Sequence, residues 1–155
     1  MATDRELAKR KKAGEYATLG MADPLDQAGK QDEESFVLFG IADASFAELP
    51  LHMRKKGKVK ACVITSATTL ATHGTDYITT TLAKRDGAGG GATTIATHTT
   101  NSSGGSALTA MTPRAATVTA SAVEFDADNV LTLKIVESGT PTTPVVSVVI
   151  TVEYT

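Results

Sequence analysis

The sequence has few of the residues that usually build a large core or a reactive site. Tryptophan is absent, Phe and Tyr together make up 5% of the chain, and Cys62 is the single cysteine. One cysteine excludes an internal disulfide, and its position in "KACVIT" predicts a small buried hydrophobe. The core therefore has to consist mainly of Val, Ile, Leu and Ala.

Long apolar runs are missing as well. No segment approaches the ~18 uncharged apolar residues of a membrane span. The charged N-terminal segment "MATDRELAKRKKAGEY" also lacks the apolar centre of a secretory signal. We therefore expect a soluble protein that is made in the cytoplasm and has no membrane partner. Its 155 residues suffice for one domain with a real core and possible tails.

Charge is concentrated near the N-terminus. Residues 1–60 carry 11 Lys/Arg and 10 Asp/Glu, whereas residues 61–155 carry only 4 and 7. The rest of the chain is rich in small and aliphatic residues, and about one residue in six is Thr, a composition typical of half-buried strands. This shift is the clearest internal boundary in the sequence.

The first 35 residues are predicted to form an extended, mostly irregular arm. A short helix over "DRELAKRKKA", residues 4–13, would have almost no apolar face and would be marginal alone. Glycines and Pro24 then interrupt any longer helix or strand. Because such a segment is too long for an internal loop, we divide the chain into an arm, residues 1–35, and a β-domain, residues 36–155.

The β-domain is a series of predicted strands. Their sequences are "SFVLFGI", "KVKACVITSA", "DYITTTLAKR", "ATTIATHTT", "AATVTASAVEF", "NVLTLKIVES" and "VVSVVITVEYT". The last two alternate most cleanly, with apolar residues at every second position. In the final strand this alternation places Val146, Val148, Ile150 and Val152 on one face, opposite Ser147, Thr151 and Glu153.

The pattern also predicts the inner face of "KVKACVITSA" and the structure of the segment before it. Period-two alternation in "KVKACVITSA" places Val59, Ala61, Val63 and Thr65 together on one face. The preceding segment, residues 42–58, is predicted to be a loop because it is polar and contains Pro and Gly.

The connections between the predicted strands consist of turn-forming residues. They include "HGTD", "RDGAGGG", "NSSGGS", "FDADN" and "SGTPTTP". Six or seven strands joined by such turns, with no helical period after residue 35, indicate an all-β fold. The expected architecture is an antiparallel β-sandwich, jelly-roll-like, preceded by the N-terminal arm.

The glycine run Gly87-Ala88-Gly89-Gly90-Gly91 invites comparison with phosphate-binding loops. Such loops continue into Lys-Ser/Thr and a helix whose amides face the anion. Here the β-branched segment "ATTIATHTT" follows, so a connector between two strands is the better interpretation.

Metal and cofactor sites have little support in the sequence. His52, His73 and His98 lie in three different segments without ligand-type spacing. The segment "DADN", residues 126–129, could offer oxygen ligands to Ca²⁺, but it lacks the Gly and distal Glu of an EF-hand loop. A turn before the strand at Val130 is the favoured interpretation, and we expect no cofactor and no metal.

Nucleophilic catalysis has no positive support either. There is no G-x-S-x-G motif, and Cys62 lies within a predicted strand instead of at a helix N-terminus that would activate it. We therefore expect a protein that is not an enzyme.

Two basic runs, "KRKK" at residues 9–12 and "MRKKGKVK" at residues 53–60, are candidate binding segments. Either could contact nucleic-acid phosphates. Acidic residues are interspersed, however, and no aromatic platform accompanies them, so nucleic acid is disfavoured as a partner. Contact with an acidic protein surface and a merely solvated surface both remain open.

The β-domain resembles a known class of viral proteins. The segments that carry the resemblance are "TDYITTTLAKRDGAGGGATTIATHTT", "GGSALTAMTPRAATVTASAVEFDADNVLTLKIVESGT" and "PVVSVVITVEYT". In pattern and composition they are similar to the small β-domains of tailed-phage structural proteins, especially head decoration (cement) and head-fibre proteins. The arm itself matches no motif of that family.

The resemblance implies a non-enzymatic protein of the virion, made in the host cytoplasm. It would bind the major capsid protein on the outside of a phage head, clamp neighbouring capsid subunits and assemble as a homo-oligomer, with a trimer favoured. The residues expected to contact the capsid are Arg5, Lys9, Arg10, Lys11, Lys12, Tyr16, Arg54, Lys55 and Lys56.

A different function remains possible on the sequence alone. The chain could be a receptor- or carbohydrate-binding module of a head or tail fibre, with the loops 86–92 and 99–106 as its contact surface. These loops contain no aromatic residue, although sugar sites usually present aromatic faces.

Overall fold

A computed structural model describes residues 33–41, 48–141 and 145–155 of the chain. Ten β-strands and one short 3₁₀ helix, Ala120–Ala122, account for its regular structure. The strands are β1 (Glu33–Ile41), β2 (Leu49–His52), β3 (Gly57–Ser66), β4 (Tyr77–Arg85), β5 (Thr93–Thr99), β6 (Arg114–Ala115), β7 (Thr117–Val118), β8 (Glu124–Phe125), β9 (Val130–Ser138) and β10 (Val145–Tyr154).

The strands form two five-stranded sheets in which all pairs are antiparallel. Sheet A has the order β1-β10-β3-β6, with β8 also paired to β3, and sheet B has the order β2-β9-β4-β5-β7. Successive strands mostly alternate between the sheets, so strands distant in sequence, such as β1 and β10, become neighbours. This crossing pattern is that of a jelly roll. The predicted antiparallel β-sandwich is therefore confirmed.

The core lies between the inner faces of the two sheets. In β10 the predicted inner residues Val146, Val148, Ile150 and Val152 have no exposed surface. The inner residues of β9, which include Leu131, Leu133 and Ile135, are equally buried and belong to the same apolar cluster. Because strand side chains alternate between faces, this burial follows directly from the sequence pattern.

The prediction for the inner face of β3 is wrong over most of its length. The register between β3 and β10 shifts so that Val59 pairs with Val152 and Ala61 pairs with Thr151, which leaves Lys60 as an extra residue. A bulge of this kind reverses the alternation beyond it. Cys62, Ile64 and Ser66 consequently point inward with Val59, whereas Ala61, Val63 and Thr65 are only partly buried.

Two other segments differ from their predictions. Residues 49–52, expected to be part of a loop, form the edge strand β2, where Pro50 is tolerated because β9 is the only paired neighbour that the structure describes. The segment "AATVTASAVEF" is divided among β6, β7, the 3₁₀ helix and β8. Its parts pair alternately with β3 and β5, so it crosses between the two sheets.

One end of the sandwich, which we call the entry end, is where β1 begins. Glu33 pairs with Glu153 near the end of β10, and Gly57 at the start of β3 pairs with Tyr154. In sheet B, His52 and Arg85 both pair with Val130 at the start of β9. The loops 53–56, 86–92 and 126–129 therefore gather at the entry end, and the loops 67–76 and 100–113 lie at the opposite end.

The predicted arm, residues 1–35, meets the described chain at β1. Residues up to 32 lie outside the described part. The last three residues of the predicted arm, Glu33 to Ser35, belong to β1 and pair with β10.

Candidate functional site

The loop between β2 and β3 presents three consecutive cations at the entry end. Its first residue, Met53, is buried and forms two backbone hydrogen bonds to the turn before β9. The Met53 N–H donates to the Asn129 carbonyl at 2.9 Å, and the Asp128 N–H donates to the Met53 carbonyl at 2.8 Å. At the other end of the loop, the Thr155 N–H donates to the Lys56 carbonyl at 3.0 Å. Both ends are thus anchored, and the exposed residues 54–56 project from a fixed position.

Tyr154 connects this loop to β1. Its hydroxyl donates a hydrogen bond to Glu34 Oε2 at 2.7 Å, and Lys55 Nζ lies 5.3 Å from its ring centroid, within the range of a cation–π contact. The ring also meets Phe125 edge-on, at a centroid distance of 6.4 Å and an interplanar angle of 89°. Burial, with Glu34 nearby, raises the pKa of Tyr154 to about 12, so the hydroxyl remains a donor at neutral pH.

These groups surround a groove of about 370 Å³. The groove is lined by Glu34, Phe36, His52, Arg54, Lys55 and Tyr154. We call this groove, together with the exposed Lys56 that follows Lys55 in the chain, the basic corner. Its lining combines the aromatic rings of Phe36 and Tyr154 with the cations Arg54 and Lys55. Such a surface suits an acidic protein segment with an apolar side chain beside its carboxylates.

Two cationic side chains of the basic corner, Lys56 and His52, each have an acidic neighbour at the long end of the ion-pair range. Lys56 Nζ lies 3.9 Å from Asp126 and His52 Nε2 lies 4.0 Å from Asp128, and all four side chains are well exposed. Exposed pairs of this length contribute little. Arg54 forms no hydrogen bond or ion pair with the described residues, so its charge is available to a partner.

The other two cations of "MRKKGKVK" are compensated within the fold. Lys58 and Lys60 hold their ammonium groups 3.1 Å and 2.8 Å from Glu153 Oε2, at ion-pair distance although not in hydrogen-bonding alignment. The Glu153 side chain is only 1% exposed, whereas its place in the alternation predicts an outward, solvated residue. Contact with Lys60, followed by Lys58, lowers the pKa of Glu153. Glu153 therefore engages Lys58 and Lys60, whereas residues 54–56 are the part of the basic run that is exposed at the entry end.

The glycine run is an organised connector between β4 and β5. Asp86 Oδ1 accepts hydrogen bonds from the Ala88 and Gly90 amides at 3.1 and 2.7 Å. Gly89 and Gly91 have positive φ angles of 80° and 50°, a conformation that glycine adopts without strain. The chain continues into a strand and not a helix, so the interpretation as a connector is confirmed.

The two loops of the alternative contact surface do not lie together. Loop 86–92 precedes β5 and loop 99–106 follows it. Seven residues of strand separate their ends by roughly 20 Å. The two loops therefore do not form one compact pocket.

The sequence candidates for metal binding remain apart. Within the described ranges, no group of three His, Cys, Asp or Glu residues could hold a metal ion. His52 lies at the entry end, and His73 contacts Asp76 at 3.2 Å at the opposite end. The segment 126–129 forms the predicted turn, in which Asn129 Oδ1 accepts a hydrogen bond from the Asp126 amide at 2.9 Å.

A second pocket was not predicted from the sequence. It has a volume of about 310 Å³ and lies beside loop 99–106, between the end of β5 and β6. His98, Ser106 and Arg114 line it. His98 is 7% exposed, and its Nε2 lies 3.2 Å from Ser106 Oγ. These residues come from three separate segments, which sequence spacing alone could not have connected.

The remaining predicted contact residues, Arg5, Lys9, Arg10, Lys11, Lys12 and Tyr16, lie outside the described residues. In the described part, no helix has the length and hydropathy needed to cross a membrane. Comparison of the chain with protein-family models and with curated proteins finds no match.

Proposed function

We propose that this chain is a structural virion protein that decorates a phage head. It binds the outside of the capsid through residues 1–35 and the cations Arg54, Lys55 and Lys56, and it stabilises the head by clamping neighbouring capsid subunits. Its partner is the major capsid protein, and it acts as a homo-oligomer, with a trimer favoured. The function is binding, not catalysis.

The observation that carries this proposal is the position of the basic corner. The described chain begins at Glu33, which pairs with Glu153, one residue from Tyr154 in the basic corner. Residues 1–32 are therefore joined covalently to the end of the sandwich that presents Arg54, Lys55 and Lys56. Two tethered contacts strengthen each other, because the second contact forms at high effective concentration.

The fold supports the same function by analogy. Jelly rolls are a common architecture of viral capsid and lectin domains, although a fold alone does not assign a function. The stiff, β-branched body of this sandwich suits a clamp that has to stay folded on the outside of a particle.

A charge-neutralising variant tests the proposal. In the full-length protein, Arg54→Gln/Lys55→Gln/Lys56→Gln should weaken binding to undecorated heads by about tenfold, since each exposed cation contributes roughly 0.5 kcal/mol. Raising the salt concentration should weaken the natural protein more than the variant. Arg114→Gln, at the second pocket, is the matched control and should bind heads normally. Equal binding by the natural protein and the triple variant would exclude the basic corner as a capsid contact.

The second candidate is a receptor- or carbohydrate-binding module of a head or tail fibre. Because its two loops lie at opposite ends of β5, we propose that loop 99–106 alone serves as its contact surface. The pocket beside that loop is the observation that favours it. This module and the capsid clamp use different ends of the sandwich, so one chain can contain both.

A further inference from the structure

The pocket beside loop 99–106 lies where the two sheets separate at one edge. His98 is on β5 of sheet B, whereas Arg114 is on β6, which pairs with β3 of sheet A. Ser106 reaches the pocket from the loop that follows β5, and its N–H is held by the Thr99 carbonyl at 2.9 Å. The pocket therefore has walls from both sheets and a tethered third side.

His98 is an unusual side chain for an ordinary core position. It is more than nine-tenths buried, and its Nδ1 has no hydrogen-bond partner among the described residues. Thr80, its cross-strand neighbour, also has a buried hydroxyl without a partner there. Burying unpaired polar groups costs stability, so a purely structural core position would favour an apolar residue.

Arg114 supplies a positive charge that the fold leaves uncompensated. It is exposed and forms no hydrogen bond or ion pair with the described residues. Its guanidinium is close enough to His98 to contribute, after burial, to lowering the pKa of the imidazole. A guanidinium in this situation favours a carboxylate, which it can bind through two parallel hydrogen bonds.

The remaining lining is rich in hydroxyl groups. Thr97 and Thr117 are paired across β5 and β7, and both line the pocket. Neither side chain forms a hydrogen bond within the described part of the chain. Such hydroxyls both donate and accept hydrogen bonds, as the hydroxyls of a sugar ring require.

We propose that this pocket binds the carboxylate of an acidic sugar, with Arg114 and Ser106 on the carboxylate and the threonine hydroxyls on the ring. The charge-assisted contact replaces the aromatic stacking that neutral sugars usually need. The volume of about 310 Å³ is at the lower limit for small-molecule sites and suits a single sugar residue.

His98 acts here as a positioning residue. When its Nε2 carries the proton, the imidazole donates to Ser106 Oγ, and the Ser106 hydroxyl proton is then free to point at a ligand oxygen. In the other tautomer, His98 Nε2 would accept a hydrogen bond from the Ser106 hydroxyl, and that hydroxyl proton would no longer be available to a ligand. A bound carboxylate therefore selects the first tautomer and also stabilises the protonated imidazole.

Nuclear magnetic resonance titration of the full-length protein tests this site. The probes are methyl glucuronoside and methyl glucoside, which differ only at C6, where the first has a carboxylate and the second a hydroxymethyl group. The glucuronoside should shift the resonances of Arg114, Ser106 and His98, and the glucoside should bind at least about tenfold more weakly because it lacks the charge-assisted contact. The pKa of His98 should rise in the glucuronoside complex.

Variants at the pocket complete the test. Arg114→Gln should weaken glucuronoside binding by about tenfold or more, whereas Arg54→Gln at the entry end should leave it unchanged. Equal binding of the two sugars, or an Arg114→Gln variant with natural affinity, would overturn the proposal. Equally tight binding of a short acidic peptide would overturn the assignment to a sugar. None of these outcomes bears on head binding, since that function uses the basic corner.

Discussion

Truncation of Phe125 should be among the most destabilising single substitutions in this sandwich. Its ring is 1% exposed and covers Gly57, where an added Cβ would lie 2.9 Å from Phe125 Cζ. The ring also meets Tyr154 edge-on. Phe125→Ala would thus remove a buried ring that packs against Gly57 and Tyr154, and such changes cost about 3–5 kcal/mol.

Urea unfolding, followed by a spectroscopic probe, measures this loss. With an m value of about 2 kcal/mol/M, a loss of about 4 kcal/mol lowers the unfolding midpoint by about 2 M. Phe39→Ala is the matched control, because the Phe39 side chain on the outer face of β1 is 66% exposed. The control should change the unfolding free energy by no more than about 0.5 kcal/mol. Equal losses in the two variants would refute the assignment of inner and outer faces.

Three other predictions concern the same domain. Burial, followed by the charge of Arg114, lowers the pKa of His98 below its ordinary 6.5. As the pH drops below 6.5 the unfolded chain therefore binds the proton first, and the free energy of unfolding should fall. His98→Gln should flatten this pH dependence, and an unchanged profile in the variant would contradict the prediction. Gly105→Ala would place a Cβ against the Thr99 carbonyl oxygen and should lower the free energy of unfolding, measured by thermal unfolding, by about 1–3 kcal/mol. Its control is Gly74→Ala, whose Cβ would make only an ordinary contact at 3.5 Å and should cost at most about 0.5 kcal/mol. Similar losses of stability in the two variants would argue against the loop geometry. Burial raises the pKa of the Cys62 thiol to about 11, so a thiol reagent should label it only at the rate of unfolding, and rapid labelling of the folded protein would contradict its burial.

The fold could be predicted from the sequence where strand alternation is uninterrupted. In β9 and β10 the aliphatic residues at every second position are all fully buried, as the pattern indicates. In β3 the bulge at Lys60 reverses the alternation, and nothing in "KVKACVITSA" marks an extra residue. β2 was missed because Pro50 usually interrupts strands, although it is tolerated at an edge.

For the candidate sites, too, local sequence features could be predicted, whereas features that depend on contacts between distant strands could not. The exposure of the cations 54–56 could be predicted because they are consecutive and lie next to a turn. The compensation of Lys58 and Lys60 by Glu153 could not be predicted, since it depends on the register of two distant strands. The pocket of His98, Ser106 and Arg114 likewise depends on how the two sheets meet at one edge.

Co-sedimentation with undecorated phage heads tests the capsid clamp most directly. The full-length chain is compared with a truncated protein that begins at Asp32, which retains the compact unit Asp32–Thr155 and with it the whole described core. We predict saturable binding of the full-length chain and a large loss of binding on truncation. Full retention of binding by the truncated protein, or no binding by either protein, would contradict the clamp.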